Sequence, residues 1–283
     1  MVGADLHLLV YAFVCSAYGL AAAQTVWRLR RAPCRVAMPR LERCSAWLAF
    51  AGHVGLVAVA MHDPLGLRFG FAPALSLLMA VAVGLFLLEE WFVRLDLLRP
   101  PLLVLAALAA LGPWFYGGSL IHSPGWPLKA HLWLAMVAYA VIGVAASHAL
   151  LMLALEKGLQ RRAGRSGLLQ HAPALLPLEQ LLFKLLRLGF GLLTAALLMG
   201  AGVGRGWFDW VGGGAVLGLR FDHKTIFSLL AWLTLALLLA GRYRFGWRGK
   251  TAIHWTLAGF AMLSMAYVGS RFVLEAVLHR LGN

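Results

Sequence analysis

The sequence predicts an all-α, polytopic membrane helix bundle with about eight transmembrane helices and both termini outside the cytoplasm. Of its 283 residues, 61% are hydrophobic and 13% are charged, whereas a soluble domain is about half apolar and about a quarter charged. The apolar residues gather into runs of about 15 to 27 residues, the length that a helix needs to cross a bilayer. The Lys and Arg residues cluster in short loops between these runs. Such loop charge is typical of a multi-pass membrane protein.

The apolar runs follow one another along the chain, and prolines mark many of their edges. The predicted spans cover about 8–27, 45–61, 73–91, 101–116, 131–155, 181–203, 224–240 and 252–274, the last continuing to His279. Most of the 25 Lys and Arg flank the ends of the odd-numbered spans. Because cytoplasmic loops are enriched in these residues, we assign those ends to the cytoplasm. The net charge of +14 then follows from topology and predicts no nucleic-acid partner.

One segment between spans is polar, aromatic and rich in glycine. It runs from Gly204 to Thr225, on the outer side of the predicted topology. Its Trp207 and Trp210 fit two interpretations, a platform that stacks on a flat ligand such as a porphyrin or the aromatic belt of the membrane surface. Asp222 stands just before the seventh span, where its side chain is suited to cap that helix.

Three of the 10 His residues stand at outer helix ends. His131 opens the fifth span, His223 precedes the seventh, and His279 ends the extension of the eighth. Helix ends at one membrane level can converge, and imidazole is a good axial ligand for haem iron. The three histidines therefore form a candidate haem site. The alternative is that each is an interfacial histidine satisfied by water or lipid headgroups.

The eighth span carries a polar stripe. Ser264, Tyr267, Arg271 and Glu275 share one helical face that leads to His279. Such a stripe fits a lined cavity. It equally fits a helix that leaves the membrane with Arg271 snorkelling to the surface.

The inner histidines favour a structural role. His53, His148 and His254 lie within spans, where a lone polar side chain commonly bridges helices; a second intramembrane ligand is the alternative. The sequence contains no nucleophile elbow, zinc-protease motif or thiol-exchange pair. It therefore favours a binding protein over an enzyme.

Three stretches of the second half carry a family resemblance. They are 130–140, with His131 followed by Tyr139-Ala140; 221–232, which begins Phe-Asp-His-Lys-Thr; and 246–269, with Gly-Trp-Arg-Gly-Lys and Gly259-Phe260. They resemble the cytochrome c assembly family, the CcsA, CcmC and HemX group, and within it the YpjD-like inner membrane proteins. The resemblance implies a multi-pass protein of the bacterial inner membrane.

The resemblance also implies a ligand set. In the family, two external histidines ligate haem that a Trp-rich loop holds; by position these are His131 and His279. The further candidate cofactor-binding residues are His223, Trp207, Trp210 and Arg271. It divides the chain into an N-terminal four-helix part, 1–128, and an assembly-like part, 129–283, whose outer aromatic loop is 204–223.

The implied function is haem handling, accessory to cytochrome c biogenesis or haem metabolism, with another membrane protein of either process as a partner. The family's loop ends in Trp-Asp-Pro, where this chain has Phe221-Asp222-His223. This departure favours a second hypothesis, a non-catalytic scaffold or regulator that has lost haem binding, as in HemX-like proteins. The polar stripe of the eighth span leaves a small-solute transporter as a third.

Overall fold

A computed structural model describes residues 2–31, 38–122, 125–160, 173–204 and 223–269. Within these ranges the chain forms eight α-helices, and a π-helical turn continues the last one. The helices are α1 Val2–Arg31, α2 Arg40–Met61, α3 Phe71–Glu89, α4 Arg99–Phe115, α5 Trp126–Gln160, α6 Leu175–Gly204, α7 His223–Phe245 and α8 Lys250–Ser264, with the π-helical turn at Met265–Gly269.

Six of these helices are long and apolar enough to cross a membrane. They match the first, second, third, fifth, sixth and seventh predicted spans, and cover Leu8–Arg31, Arg40–Met61, Phe71–Glu89, Trp126–Gly158, Leu175–Gly202 and Lys224–Phe245. The prediction of a multi-pass membrane helix bundle is therefore confirmed. The fourth and eighth predicted spans coincide with α4 and α8, which have 17 and 15 residues. The count of eight spans and the outer position of the termini stay predictions.

A small three-stranded sheet departs from the all-α prediction. Its strands are β1 His62–Asp63, β2 Gly66–Phe69 and β3 Ser119–His122, in the order β1-β2-β3, and β1 pairs with β2 in antiparallel register. Gly118 precedes β3 with a φ of 77°. A Cβ there would stand 2.8 Å from the carbonyl carbon of Phe69, so the close approach requires glycine. Strands of two to four residues are too short to show an alternating pattern in the sequence.

The chain divides into two compact units. Unit 1 comprises Met1–Ile121 and Leu150–Glu179, and unit 2 comprises His122–Ala149 and Gln180–Asn283. Helices α5 and α6 thus each contribute residues to both units. The predicted boundary after residue 128 stays a prediction.

Unit 1 packs small side chains between its helices. The buried core of α1, α2 and α4 includes Ala21, Ala46, Ala49, Ala106 and Ala110. Small residues let helix backbones approach closely, which is how helices associate in a bilayer, where apolar burial gives little driving force.

One end of unit 1 holds a network of buried ion pairs. Arg28, at the end of α1, binds Glu42 at the start of α2 with Nε–Oε2 at 2.9 Å and Asp96 with Nη2–Oδ1 at 2.7 Å. Arg99, fully buried at the start of α4, binds Glu90 with Nη1–Oε2 at 2.6 Å. The network joins the end of α1, the start of α2, the segment after α3 and the start of α4. Arg28 and Arg99 are therefore structural cations.

Unit 2 is a ring of antiparallel helices, and two contacts define each neighbouring pair. Between α5 and α6, a Cβ at Gly189 would stand 2.6 Å from Ile142, and eleven residues further along α6 one at Gly200 would stand 2.8 Å from His131. Along α5 the order is reversed, since His131 precedes Ile142. The two helices are therefore antiparallel.

Two contacts between α6 and α7 show that these helices are antiparallel as well. Trp232 Nε1 donates to Thr194 Oγ1 at 2.8 Å, and the Arg242 guanidinium lies 4.5 Å from the centre of the Phe183 ring. Helix α8 then closes the ring. It contacts α7 where Gly259 meets Leu235, and α5 where Phe260 lies against Gly143 and Tyr267 against Tyr139.

This arrangement gives unit 2 two distinct ends. The start of α5, the end of α6, the start of α7 and the π-helical turn lie at one end, which we call the His131 end. The end of α7 and the start of α8 lie at the other, which we call the Arg242 end.

Candidate functional site

The described part of the candidate site centres on the ring of His131. Its Nδ1 lies 3.0 Å from the backbone oxygen of Ala196, in the last turns of α6. A carbonyl oxygen can only accept a hydrogen bond, so Nδ1 carries the proton and donates it. The other nitrogen, Nε2, is then the unprotonated one, with its lone pair available. A ring held in this way by a backbone carbonyl has the orientation and tautomer of a metal-ligating histidine.

Gly200 makes room for that ring. It lies one turn beyond Ala196 on α6, and a Cβ at this position would stand 2.8 Å from Cε1 of His131. Contacts that short are almost never tolerated, so any larger residue would displace the imidazole. Among the described residues no group hydrogen-bonds Nε2 of His131, and the ring is half-buried. Nδ1 therefore fixes the ring, while Nε2 makes no hydrogen bond to a described residue.

The structure describes the other predicted site residues only in part. His223 begins α7 at the His131 end, although its side chain is outside the described set. Trp207, Trp210, Arg271 and His279 lie outside the described residues. The chain leaves α6 at Gly204 and enters α7 at His223, so both ends of the aromatic loop attach at the His131 end. The convergence of all six residues stays a prediction.

The donor chemistry fits haem iron better than a bare metal ion. A metal held by protein side chains alone needs three or four ligands, and the described residues contain no group of three His, Cys, Asp or Glu that could hold one. Haem iron needs only one or two axial ligands from the protein. A single imidazole anchored by a carbonyl, as in His131, meets that need.

The polar stripe of the eighth span is described for two residues. Ser264 Oγ donates to the Phe260 carbonyl of its own helix at 2.9 Å, and the Tyr267 ring packs edge-on against Tyr139 with 6.0 Å between centres. Both side chains thus serve packing inside unit 2. The stripe's last residues, Arg271 and Glu275, lie outside the described part.

The inner histidines have partners of their own. In unit 1, His53 is fully buried, and its two nitrogens lie 3.2 Å from the Tyr18 hydroxyl and 3.0 Å from the Ser76 hydroxyl. It therefore bridges α1 and α3 with both nitrogens satisfied. In unit 2, His148 and His254 each hydrogen-bond the carbonyl four residues earlier, on Val144 and Lys250.

Sequence reasoning missed two features. One is the pairing of Arg28 and Arg99 with Glu42, Asp96 and Glu90. The signal in the sequence was that these three acids lie close to Arg residues at the ends of apolar spans. The other is the role of Gly200 and the Ala196 carbonyl. Only the register of α5 against α6 reveals it.

Comparison with known proteins identifies the family. The model of the family described as cytochrome C assembly protein matches residues 46–278. Inner membrane protein YpjD of Escherichia coli K12 is 29% identical over 175 residues, which are 62% of this chain and 62% of that protein. The chain thus covers less than two thirds of the length of this relative.

Two further relatives agree. A protein of Azospirillum brasilense, described as an uncharacterized 28.8 kDa protein in a nifR3-like 5' region, is 29% identical over 82% of this chain and 84% of its own length. Cytochrome c biogenesis protein CcsA of Prochlorococcus marinus NATL1A is 31% identical over 106 residues, 37% of this chain and 31% of that protein. No solved structure matches the chain. The chain therefore belongs to the cytochrome c assembly protein family, as a YpjD-like multi-pass protein of the inner membrane.

Proposed function

We propose that this protein binds and handles haem at the outer face of the membrane, accessory to cytochrome c biogenesis or haem metabolism. One observation carries the proposal. The Ala196 carbonyl holds His131, in the second turn of α5, in the tautomer whose Nε2 can bind iron. The relatives named CcsA, for cytochrome c biogenesis, support the same direction.

In this proposal His131 and His279 would hold the haem iron. Haem supplies the iron and its porphyrin, and the protein supplies orientation and exclusion of water. Ala196 keeps the Nδ1 proton of His131 in place, so that the lone pair of Nε2 faces the ligand. His223, Trp207, Trp210 and Arg271 are supporting residues of the same site, and the aromatic segment 204–223 is the platform or lid over it.

The absorbance spectrum of the purified protein tests the proposal. A Soret band, present on purification or gained with added haemin, is expected for the unaltered chain. His131→Ala combined with His279→Ala should abolish it, while His254→Ala, an exposed histidine bonded to its own helix, should leave it unchanged. A colourless protein that gains no band with haemin would overturn haem binding and select the scaffold hypothesis.

The finer topology and the partner belong to the same proposal. We infer eight spans with both termini outside, in which α4 and α8 complete the six long helices. Reporter fusions after Arg31 and after Phe245 should report the cytoplasm, and fusions at both termini the outside.

The partner, a membrane protein of cytochrome c biogenesis or haem synthesis, is expected to co-purify in mild detergent. A chain that purifies alone after cross-linking would contradict it.

A further inference from the structure

The Arg242 end of unit 2 contains a basic cleft between α6 and α7. Its volume is about 480 Å³. It is lined by three cations, Lys184, Arg187 and Arg242, and by two further polar residues, Gln180 and Tyr243. Residues 180, 184 and 187 share one face of α6, because they follow the four- and three-residue spacing of a helix. Two neighbouring helices thus direct polar donors into one space.

The described residues of unit 2 contain no Asp or Glu. None occurs in 125–149, 180–204 or 223–269. Lys184 and Arg187 are exposed and make no hydrogen bond or ion pair within the described part of the chain. Three cations that share a cleft repel one another unless an anion lies between them. The positive charge of the cleft therefore favours binding of an anion from outside the unit.

Arg242 is already held in position. Its Nη1 donates to the Trp247 carbonyl at 3.1 Å, and its guanidinium lies 4.5 Å from the centre of the Phe183 ring. The Trp247 ring in turn packs on Gly241, where a Cβ would stand only 2.3 Å away. A guanidinium ordered in advance loses little entropy when it binds a phosphate, and its fork of donors suits phosphate oxygens.

The surroundings favour a lipid over a free anion. Leu239 of α7 lines the cleft, and Leu188, next to Arg187 on α6, exposes 51% of its surface. Both helices are long and apolar enough to cross a membrane, where exposed side chains meet acyl chains. Long basic side chains at a span end reach the headgroup level, and basic pockets between spans bind anionic headgroups.

We propose that this cleft binds the phosphate headgroup of an anionic phospholipid of the surrounding bilayer. The headgroup phosphate lies among Lys184, Arg187 and Arg242, and the acyl chains lie along Leu188 and Leu239. This binding goes beyond haem handling and does not depend on it. His131→Ala should leave it intact, so the two proposals fail separately.

Native mass spectrometry of the full chain in detergent, titrated with phosphatidylglycerol or phosphatidylcholine, tests the proposal. The variant is Lys184→Gln with Arg187→Gln, and the matched control is Arg244→Gln with Lys250→Gln, which removes the same charge from exposed positions outside the cleft. Each cleft charge removed should weaken phosphatidylglycerol binding about fivefold. The control should change it less than twofold, and phosphatidylcholine should bind weakly to all.

Three outcomes would overturn the proposal. Equal losses in the cleft and control variants would mean that binding follows net charge alone. Equal binding of phosphatidylcholine would mean that the cleft does not distinguish anionic from neutral headgroups. Full displacement of phosphatidylglycerol by millimolar inorganic phosphate would identify free phosphate as the occupant. Unchanged elution and circular dichroism of both double variants would show that each has folded.

Discussion

The two units treat their charged and polar residues in opposite ways. In unit 1, Arg28 and Arg99 are buried and each binds carboxylates, at distances from 2.6 to 2.9 Å. In unit 2 the described residues carry no carboxylate at all, and Lys184 and Arg187 remain exposed beside a cleft. Unit 1 thus uses its buried charges to hold helix ends together, whereas Lys184 and Arg187 of unit 2 have no ion pair among the described residues.

The histidines repeat this contrast. His53 of unit 1 has hydroxyl partners on both nitrogens, so its ring can hold helices together but has no lone pair left for a metal. His131 of unit 2 has one nitrogen on the Ala196 carbonyl, and no described residue hydrogen-bonds the other. The number of hydrogen-bonded nitrogens thus separates His53 from His131.

The largest expected effect is the loss of the buried ion pairs in unit 1. Arg28→Gln leaves Glu42 and Asp96 buried without their guanidinium, and removing one partner of a buried pair costs roughly 3–5 kcal/mol. Arg31→Gln is the matched control, since Arg31 is exposed on the same helix and contacts only the face of Trp27 among described residues; a cation–π contact at the surface contributes about 0.5–1 kcal/mol.

Reversible unfolding in mixed detergent micelles measures both variants. If Arg28→Gln lowered the free energy of unfolding no more than Arg31→Gln does, the network would not be structural, and the contrast between the units would disappear.

The next effect sharpens the contrast at the His131 end. Gly200→Ala places a Cβ 2.8 Å from the imidazole and displaces the ring from its carbonyl. Loss of an outer partner of a ligating histidine typically weakens metal binding about 10- to 100-fold. Gly191→Ala is the control on the same helix, because no atom lies within 4 Å of the Cβ it adds.

Titration with haemin, followed at the Soret band, measures the dissociation constants. Equal affinities for Gly200→Ala and Gly191→Ala would argue that the orientation of His131 is irrelevant to haem binding.

These residues also mark how far the sequence leads. Six of the eight predicted spans coincide with helices long enough to cross a membrane, because crossing a bilayer requires about 20 apolar residues in a row. The predicted start of the fifth span at His131 was five residues late, because α5 begins at Trp126. The ion pairs of Arg28 and Arg99, the bond to Ala196 and the need for Gly200 depend on which helices are neighbours and in what register. No local pattern encodes that information, and the two- to four-residue strands are too short to encode theirs.

The smallest expected effect concerns an exposed ion pair of unit 1. The Leu65 backbone N–H, with the Arg68 guanidinium beside it, holds the pKa of Asp63 below its usual value of 3.8. A lowered native pKa contributes stability above the unfolded value and loses it as the pH falls through the native value. Asp63→Asn should therefore lower the melting temperature slightly at neutral pH. The difference should shrink as the pH falls below 3.8 and through the lowered native pKa; one that persisted unchanged in strong acid would contradict the assignment.

Electron paramagnetic resonance of the ferric, haemin-loaded protein tests most directly that His131 is an iron ligand. Two axial imidazoles give low-spin iron, so the unaltered protein is expected to show a low-spin signal. His131→Ala should lose that signal and leave a high-spin one or none, whereas His254→Ala should retain it. A low-spin signal of the same shape and intensity in His131→Ala would contradict the account, because the iron would then be bound elsewhere.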